Sequence, residues 1–174
     1  MFDPTVFENL KVAFENHVYD LDNIDKQIMI TNRIDRMELS IMSRLFALQF
    51  SRVDDEDVVA EIRLESSVKD LANEILELPD VVPGCVLQIF FYMPIANVST
   101  QCRQIEDILQ NIWKPELKPL QSLSYVYGEE NAIHTNTIEL RFNRKINEDQ
   151  MDDIPELIGH VLQTLDELQH MSIA

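Results

Sequence analysis

One stretch decides the fold of this chain: Cys85-Val86-Leu87-Gln88-Ile89-Phe90-Phe91-Tyr92-Met93. In a strand, alternate side chains point to opposite faces, and here both sets are largely apolar. A strand of this kind must be covered on both faces. We therefore expect residues 85–93 to form a buried central strand, with a neighbouring strand on each side and a layer of structure over each face.

Helical patterns lie on both sides of this strand in the sequence. Before it, Ser67 and Asp70 form a capping box at the start of an apolar stripe. After it, Asn97 is placed to cap a second helix. The sequence predicts helices at about 67–78 and 98–113, each ended by a proline. The first stripe consists of Val68, Leu71, Ala72 and Ile75.

Two hairpins alternate apolar and polar residues. The first joins residues 46–50 to 58–64, and the second joins residues 120–127 to 134–145. One solvated face is typical of antiparallel strands. Helices that stand between strands imply crossovers to parallel neighbours. The chain is therefore predicted to be a single α+β domain, residues 1–174, with a mixed and largely antiparallel sheet.

The first part of the chain is less clearly patterned. Residues 10–21 fit both the helical and the strand period, and we predict a strand there, with a helix as the alternative. The acidic residues 20–25 are then a turn, and residues 27–33 form a strand. The segment 35–43 is consistent with either a helix or an extended chain.

The last predicted element is a helix at about 148–170. Its apolar residues recur at spacings of three and four, which is typical of a continuous seam. They are Met151, Ile154, Ile158, Val161, Leu165 and Leu168. Leu157 and Leu162 widen this face beyond what a narrow contact needs. We expect a homodimer through the extra width, and the alternative is that the whole face packs on the domain's own sheet.

Composition excludes several classes of function. The chain has 31 acidic and 14 basic residues and a net charge of -17, which disfavours binding to nucleic acids and to anionic membranes. A basic protein partner is favoured instead, with solubility as the plain alternative. Only three glycines occur, at positions 84, 128 and 159, so no glycine-rich phosphate loop is present. We expect no cofactor.

The expected location is the cytoplasm. The chain shows neither a secretory signal pattern nor an apolar run of membrane-spanning length, so no membrane association is predicted. Cys85 lies in the apolar strand and Cys102 on the apolar stripe of a predicted helix. Both are predicted to be buried free thiols, as in a reducing compartment.

The clearest local group of charges is Asp20, Asp22 and Asp25. On an extended chain Asp20 and Asp22 point the same way, as two oxygen ligands of Mg²⁺ or Ca²⁺ would. The calcium-loop pattern fails, however, because Ile24 and Asp25 occupy its fifth and sixth positions. An acidic turn is the alternative. The four histidines show no zinc-ligand spacing.

Gln88 and Tyr92 are polar interruptions on one face of the central strand. They are candidate ligand-binding residues, and the alternative is that they hydrogen-bond to neighbouring groups of the protein. No nucleophile motif is present, and no catalytic pair stands out among the many carboxylates. The sequence therefore leaves open whether the protein is an enzyme.

Three functional hypotheses follow. The first is a non-enzymatic, self-associating protein-interaction module. The second is an enzyme or a small-ligand or metal sensor whose site is assembled from dispersed residues. The third is an acidic chaperone-like dimer, because small acidic α+β domains with this order of elements occur among secretion chaperones; this is an analogy of composition and architecture alone.

Overall fold

A computed structural model describes residues 5–129 and 133–173, apart from the side chains of 172 and 173. Four α-helices lie within these residues: Thr5–Asn23 (α1), Val68–Leu76 (α2), Val98–Trp113 (α3) and Ile154–Ile173 (α4). The six strands are Ile28–Glu38 (β1), Ser43–Arg52 (β2), Asp55–Ser66 (β3), Val86–Ile95 (β4), Leu120–Ser124 (β5) and His134–Arg141 (β6). None of these helices is both long and apolar enough to cross a bilayer.

The strands form one sheet in the order β1-β2-β3-β4-β6-β5, and all neighbouring pairs are antiparallel. β4 lies between β3 and β6, which confirms the central position predicted for residues 85–93. The α+β class is also confirmed, but the predicted parallel neighbours are wrong. Glu65 at the end of β3 pairs with Val86 at the start of β4. The chain leaves and re-enters the sheet at the same end, so β4 runs back beside β3.

The two faces of β4 differ. On the first face Leu87, Ile89, Phe91 and Met93 are buried beneath the helices. The ion pairs from helix to sheet reach this face, joining Lys11 to Asp35, Glu8 to Arg44 and Asp166 to Arg52. On the second face Phe90 is buried but Val86, Gln88 and Tyr92 are half-buried. The prediction of a second covering layer is wrong for the described part of the chain. Long side chains of adjacent strands shield this face instead.

The predicted strand at residues 10–21 is a helix. α1 buries one residue per turn on the sheet: Phe7, Leu10, Phe14, Val18 and Leu21. The alternation of Leu10, Val12 and Phe14 suggested a strand, but Val12 points outward and is 48% exposed. Leu10 and Phe14 satisfy both periods, and the longer series from Phe7 to Leu21 decides in favour of the helix.

Both predicted hairpins are present; the strands of the first are longer than expected and those of the second, at 120–124 and 134–141, are shorter. β1 continues through the undecided segment as far as Glu38, and residues 39–42 form the turn into β2. Phe46, Leu48 and Phe50 of β2 face the core together with Val58, Ala60, Ile62 and Leu64 of β3. The second hairpin pairs β5 with β6.

α4 covers its own sheet. Asn147 and Gln150 form a capping box at a 3-10 helix, Glu148–Asp153, which leads into α4. The seam residues Ile154, Ile158, Val161, Leu165 and Leu168 are at most 4% exposed. Leu157 and Leu162, expected to remain for a partner, pack half-buried against the same core. The sheet therefore covers the seam of α4, and a dimer through Leu157 or Leu162 stays a prediction.

Candidate functional site

α2 is held to the domain by its polar side. The predicted capping box is present, with Ser67 accepting from the Asp70 N–H and Asp70 accepting from the Ser67 N–H. Asp70 is only 5% exposed and also pairs with Lys145. Glu74 accepts a hydrogen bond of 3.0 Å from the backbone N–H of Thr5. Glu74 thus satisfies one of the free N–H groups at the start of α1.

Much of the apolar side of α2 faces outward. Leu71 and Ala72 of the predicted stripe are half-buried. The other apolar residues of α2 and two of the segment that follows are 45–73% exposed. We call this set the α2 surface: Val68, Ile75, Leu76, Leu78 and Val82. Spacing alone did not show that the stripe at Val68 and Ile75 would be exposed. Contiguous exposed apolar residues are typical of interaction sites on soluble proteins.

A second exposed apolar group, which we call the hairpin tip, lies at the same end of the sheet. It consists of Leu39, Ile41 and Met42 in the turn between β1 and β2, which are 42–78% exposed. Arg44 of β2 pairs with Ser66 of β3, immediately before α2 begins. The register therefore places the hairpin tip beside the start of α2.

Gln88 and Tyr92 lie on the second face of the sheet, where both are half-buried. Gln88 Nε2 donates to Glu139 Oε1 at 2.9 Å. Tyr92 stacks on Phe90, with 6.2 Å between ring centroids and 9° between ring planes. The side chain of Gln88 is thus hydrogen-bonded within the protein, which was the alternative to a ligand-binding role. A ligand role for either residue stays a prediction.

A buried carboxylate lies beside these residues. Glu61 is 1% exposed, and its two oxygens accept from Gln49 Nε2 at 2.7 Å and Arg63 Nε at 2.8 Å. The Arg63 guanidinium also lies 4.3 Å from the centroid of the Phe90 ring. Burial, together with the charge of Glu61, raises the pKa of Tyr92 to about 12. The phenol is therefore neutral at ordinary pH and can donate a hydrogen bond.

The structure separates the three aspartates that were candidate metal ligands. Asp20 and Asp22 lie in the last turn of α1, where residues two apart do not share a face. The Asp22 carboxylate accepts from the backbone N–H of Ile30 at 3.0 Å, which joins α1 to β1. Within the described residues no group of three His, Cys, Asp or Glu side chains is arranged to hold a metal ion. The premise of an extended chain through Asp20 and Asp22 is wrong.

Both cysteines are free thiols, as predicted, but Cys102 is half-buried rather than buried. Cys85 is buried, and its backbone exchanges hydrogen bonds of 2.7 and 2.9 Å with Ile146. Gly84 permits this close approach, because a Cβ atom there would lie 2.9 Å from the Ile146 carbonyl oxygen. The contact fixes the segment after β6 beside β4.

That segment forms one wall of a cavity of about 400 Å³. The other walls are the end of α3, the end of β6 and the start of α4. The lining includes Trp113, Lys114, Arg141, Arg144 and Leu157. Sequence analysis did not identify these residues, because α3 and the segment after β6 are about thirty positions apart. The one available signal was Trp113, the only tryptophan of the chain.

Comparison with known proteins gives no relative: no family model, curated protein or solved structure matches this chain.

Proposed function

We propose that the protein is a non-enzymatic interaction module that forms a two-fold dimer through the α2 surface and the hairpin tip. The observation that carries the proposal is the exposure of the apolar side of α2. α1 and α4 bury their apolar stripes on the sheet, whereas Ile75 of α2 is 68% exposed. Covering such residues is the main favourable term in protein association.

The area that a stable dimer interface needs indicates that the interface includes the hairpin tip as well as α2. A stable dimer covers about 800 Å² on each copy. A helix of nine residues is about 14 Å long and offers less than this. The hairpin tip lies beside the start of α2 and extends the apolar surface. Closed two-fold pairs are the commonest assembly, and each copy then presents the same surface to the other.

Charges around α2 favour a second copy as the occupant. Lys69 lies in the first turn of α2, and Glu77 and Asp80 follow its last turn. Lys69 and Glu77 have no ion pair among the described residues. When two copies of α2 pack antiparallel about a two-fold axis, Lys69 of each copy meets the acidic end of the other. This arrangement reduces, at the interface, the repulsion between two chains of net charge -17.

A dimer of this kind is strongly acidic, and we propose a basic protein as its further partner. The acidic chaperone-like dimer would use the same interface and stays a prediction. The proposed compartment is the cytoplasm, which is supported by the free thiols of Cys85 and Cys102. Thiol counting on denatured, unreduced protein should find two; a disulfide would contradict this compartment.

Sedimentation equilibrium at micromolar concentration tests the dimer. We expect a dimer mass for the natural chain and a monomer mass for Ile75→Glu, since the variant places a charge in the interface. Ile24→Glu is the matched control, because Ile24 is 71% exposed but lies after α1, outside the proposed interface. Circular dichroism establishes that both variants fold. A monomeric natural chain, or a folded Ile75→Glu variant that is still dimeric, would refute the proposal.

Charge exchange tests the antiparallel arrangement. Lys69→Glu should weaken the dimer, since it places like charges at each end of the interface. The double variant Lys69→Glu with Glu77→Lys should restore it, because the opposite charges meet again. If the double variant is no stronger than the single variant, the two copies of α2 do not pack antiparallel.

A further inference from the structure

We propose that the cavity beside Trp113 binds a small amphipathic anion, a carboxylate with an apolar body. This site is separate from the proposed dimer interface. It corresponds to the second hypothesis, a small-ligand site assembled from dispersed residues, and gives that hypothesis a class of ligand. The cavity has about 400 Å³, which is within the range of small-molecule sites.

The floor of the cavity is apolar. It is formed by buried residues from four separate elements: Phe14, Leu87, Leu140 and Ile154. Trp113 and Phe142 line its wall as an edge-to-face pair with 6.3 Å between ring centroids. The Trp113 ring is held in place because its Nε1 donates to Thr164 Oγ1 at 2.9 Å. A ligand with an apolar body would cover this surface without leaving polar groups unpaired.

The rim of the cavity is basic in an otherwise acidic protein. Lys114, Arg141 and Arg144 line it, from a chain with 14 basic and 31 acidic residues. Lys114 is the C-cap of α3, where its positive φ of 44° ends the helix at the cavity. Three cations at one opening attract an anion despite the net charge of the chain.

These cations are available to a ligand. Elsewhere Lys11, Arg44 and Arg52 are paired with carboxylates. By contrast, the side chains of Lys114 and Arg144 have no ion pair or hydrogen bond within residues 5–129 and 133–173. Arg141 donates only to the Lys118 carbonyl, at 3.2 Å.

Two carboxylates of the lining restrict where the anionic group can lie. Glu116 accepts from Asn143 Nδ2 at 3.1 Å, and Asp153 lies at the start of α4. The head group of the ligand is therefore assigned to Lys114 and Arg144, the two cations of the lining whose side chains have no ion pair or hydrogen bond among the described residues. A single carboxylate is favoured over a phosphate, because a doubly charged group would be repelled more strongly by Glu116 and Asp153.

Fluorescence titration tests the proposal, since Trp113 is the only tryptophan. The probes are decanoate, decylamine and 1-decanol, which share an apolar chain and differ in head-group charge, each used below its aggregation concentration. Decanoate should change the Trp113 emission saturably, and decylamine should not. 1-Decanol should bind more weakly than decanoate. Calorimetric titration of the same probes measures binding without relying on the fluorescence of Trp113.

The variants Lys114→Gln and Arg144→Gln should each weaken decanoate binding by about two- to fivefold, the loss expected for the ion pair of an exposed side chain. Arg103→Gln is the matched control, since it removes the same charge from an exposed site on α3 that does not line the cavity. It should leave binding unchanged. The proposal is overturned by an absence of saturable decanoate binding, by equal binding of decylamine, or by an equal loss in Arg103→Gln.

Discussion

α2 and α4 carry similar sequence patterns but differ in how far their apolar residues are buried. Both have apolar residues at helical spacing and both begin near a capping box. α4 is about 30 Å long and buries its seam along the sheet, whereas α2 is about 14 Å long and leaves Val68 and Ile75 of its stripe exposed. The spacing of apolar residues shows that a helix has an apolar side; it does not show what covers that side.

The two helices are also attached by different forces. Apolar burial holds α4, through residues such as Ile158 and Leu165. Polar contacts hold α2, through Asp70 to Lys145 and through Glu74 to the start of α1. The comparison therefore predicts different responses of the two helices to truncation and to pH.

The largest effect is expected from Ile158→Ala in α4. Ile158 is fully buried, so its truncation leaves a cavity in the core. The free energy of unfolding should fall by about 2–5 kcal/mol. Urea unfolding followed by circular dichroism measures this change. A loss below about 0.5 kcal/mol, the range of surface substitutions, would show that α4 is not part of the core.

Asp70→Ala in α2 should have an intermediate effect. The variant removes the capping box and the partner of Lys145, and we expect a loss of about 1–3 kcal/mol in the free energy of unfolding. Asp107→Ala, at an exposed position on α3 outside the α2 surface and the hairpin tip, is the control and should cost less than about 0.5 kcal/mol. Equal losses in the two variants would show that the polar side of α2 does not anchor it.

Alkaline pH should weaken the end of the sheet beside α2. Burial, with a contribution from the Asp70 and Glu74 carboxylates, raises the pKa of Cys85 from 9.0 to about 12. The folded state thus holds the thiol proton more tightly than the unfolded state does. Its contribution to stability is complete below pH 9 and is lost as the pH rises towards 12.

Urea unfolding between pH 8 and pH 11 measures this loss. The natural chain should lose more stability over the range than Cys85→Ala does, because the variant lacks the titrating thiol. The raised pKa of Tyr92 affects both proteins and cancels in the comparison. Parallel curves would show that the Cys85 thiol titrates alike in the folded and unfolded states.

The smallest effect is expected from Ile75→Ala, the counterpart of the α4 truncation. Ile75 is exposed, so the free energy of unfolding of the monomer should change by less than about 0.5 kcal/mol. The measurement requires a concentration too low for self-association. A loss above 1 kcal/mol in the monomer would mean that the apolar side of α2 packs on its own chain, and the comparison with α4 would fail.

Local patterns by themselves determined much of the architecture. Ser67 with Asp70 and Asn97 marked the starts of α2 and α3, because a cap and the N–H groups it satisfies are within a few residues of each other. The alternation in β2, β3 and β6 gave the antiparallel hairpins. The spacing of apolar residues gave the wrong prediction for α1, because Leu10 and Phe14 fit a strand and a helix equally well.

Part of the candidate site could also be recognised from the sequence. Gln88 and Tyr92 were visible as polar residues in an apolar strand, but their neighbours Glu61, Arg63 and Glu139 come from other strands. The cavity brings Lys114 of α3 together with Arg144 after β6. Neither group has a sequence signature, since its members are far apart in the chain.

What only the tertiary structure decided is which apolar faces are covered. β4 has two apolar faces, and helices lie on the first. α2 and α4 both have apolar stripes, and the sheet covers that of α4. Coverage depends on where the elements lie in space: α2 joins the neighbouring ends of β3 and β4, whereas α4 lies along the sheet. Hydrophobic periodicity is a property of a single element, whereas burial is a property of two elements that meet.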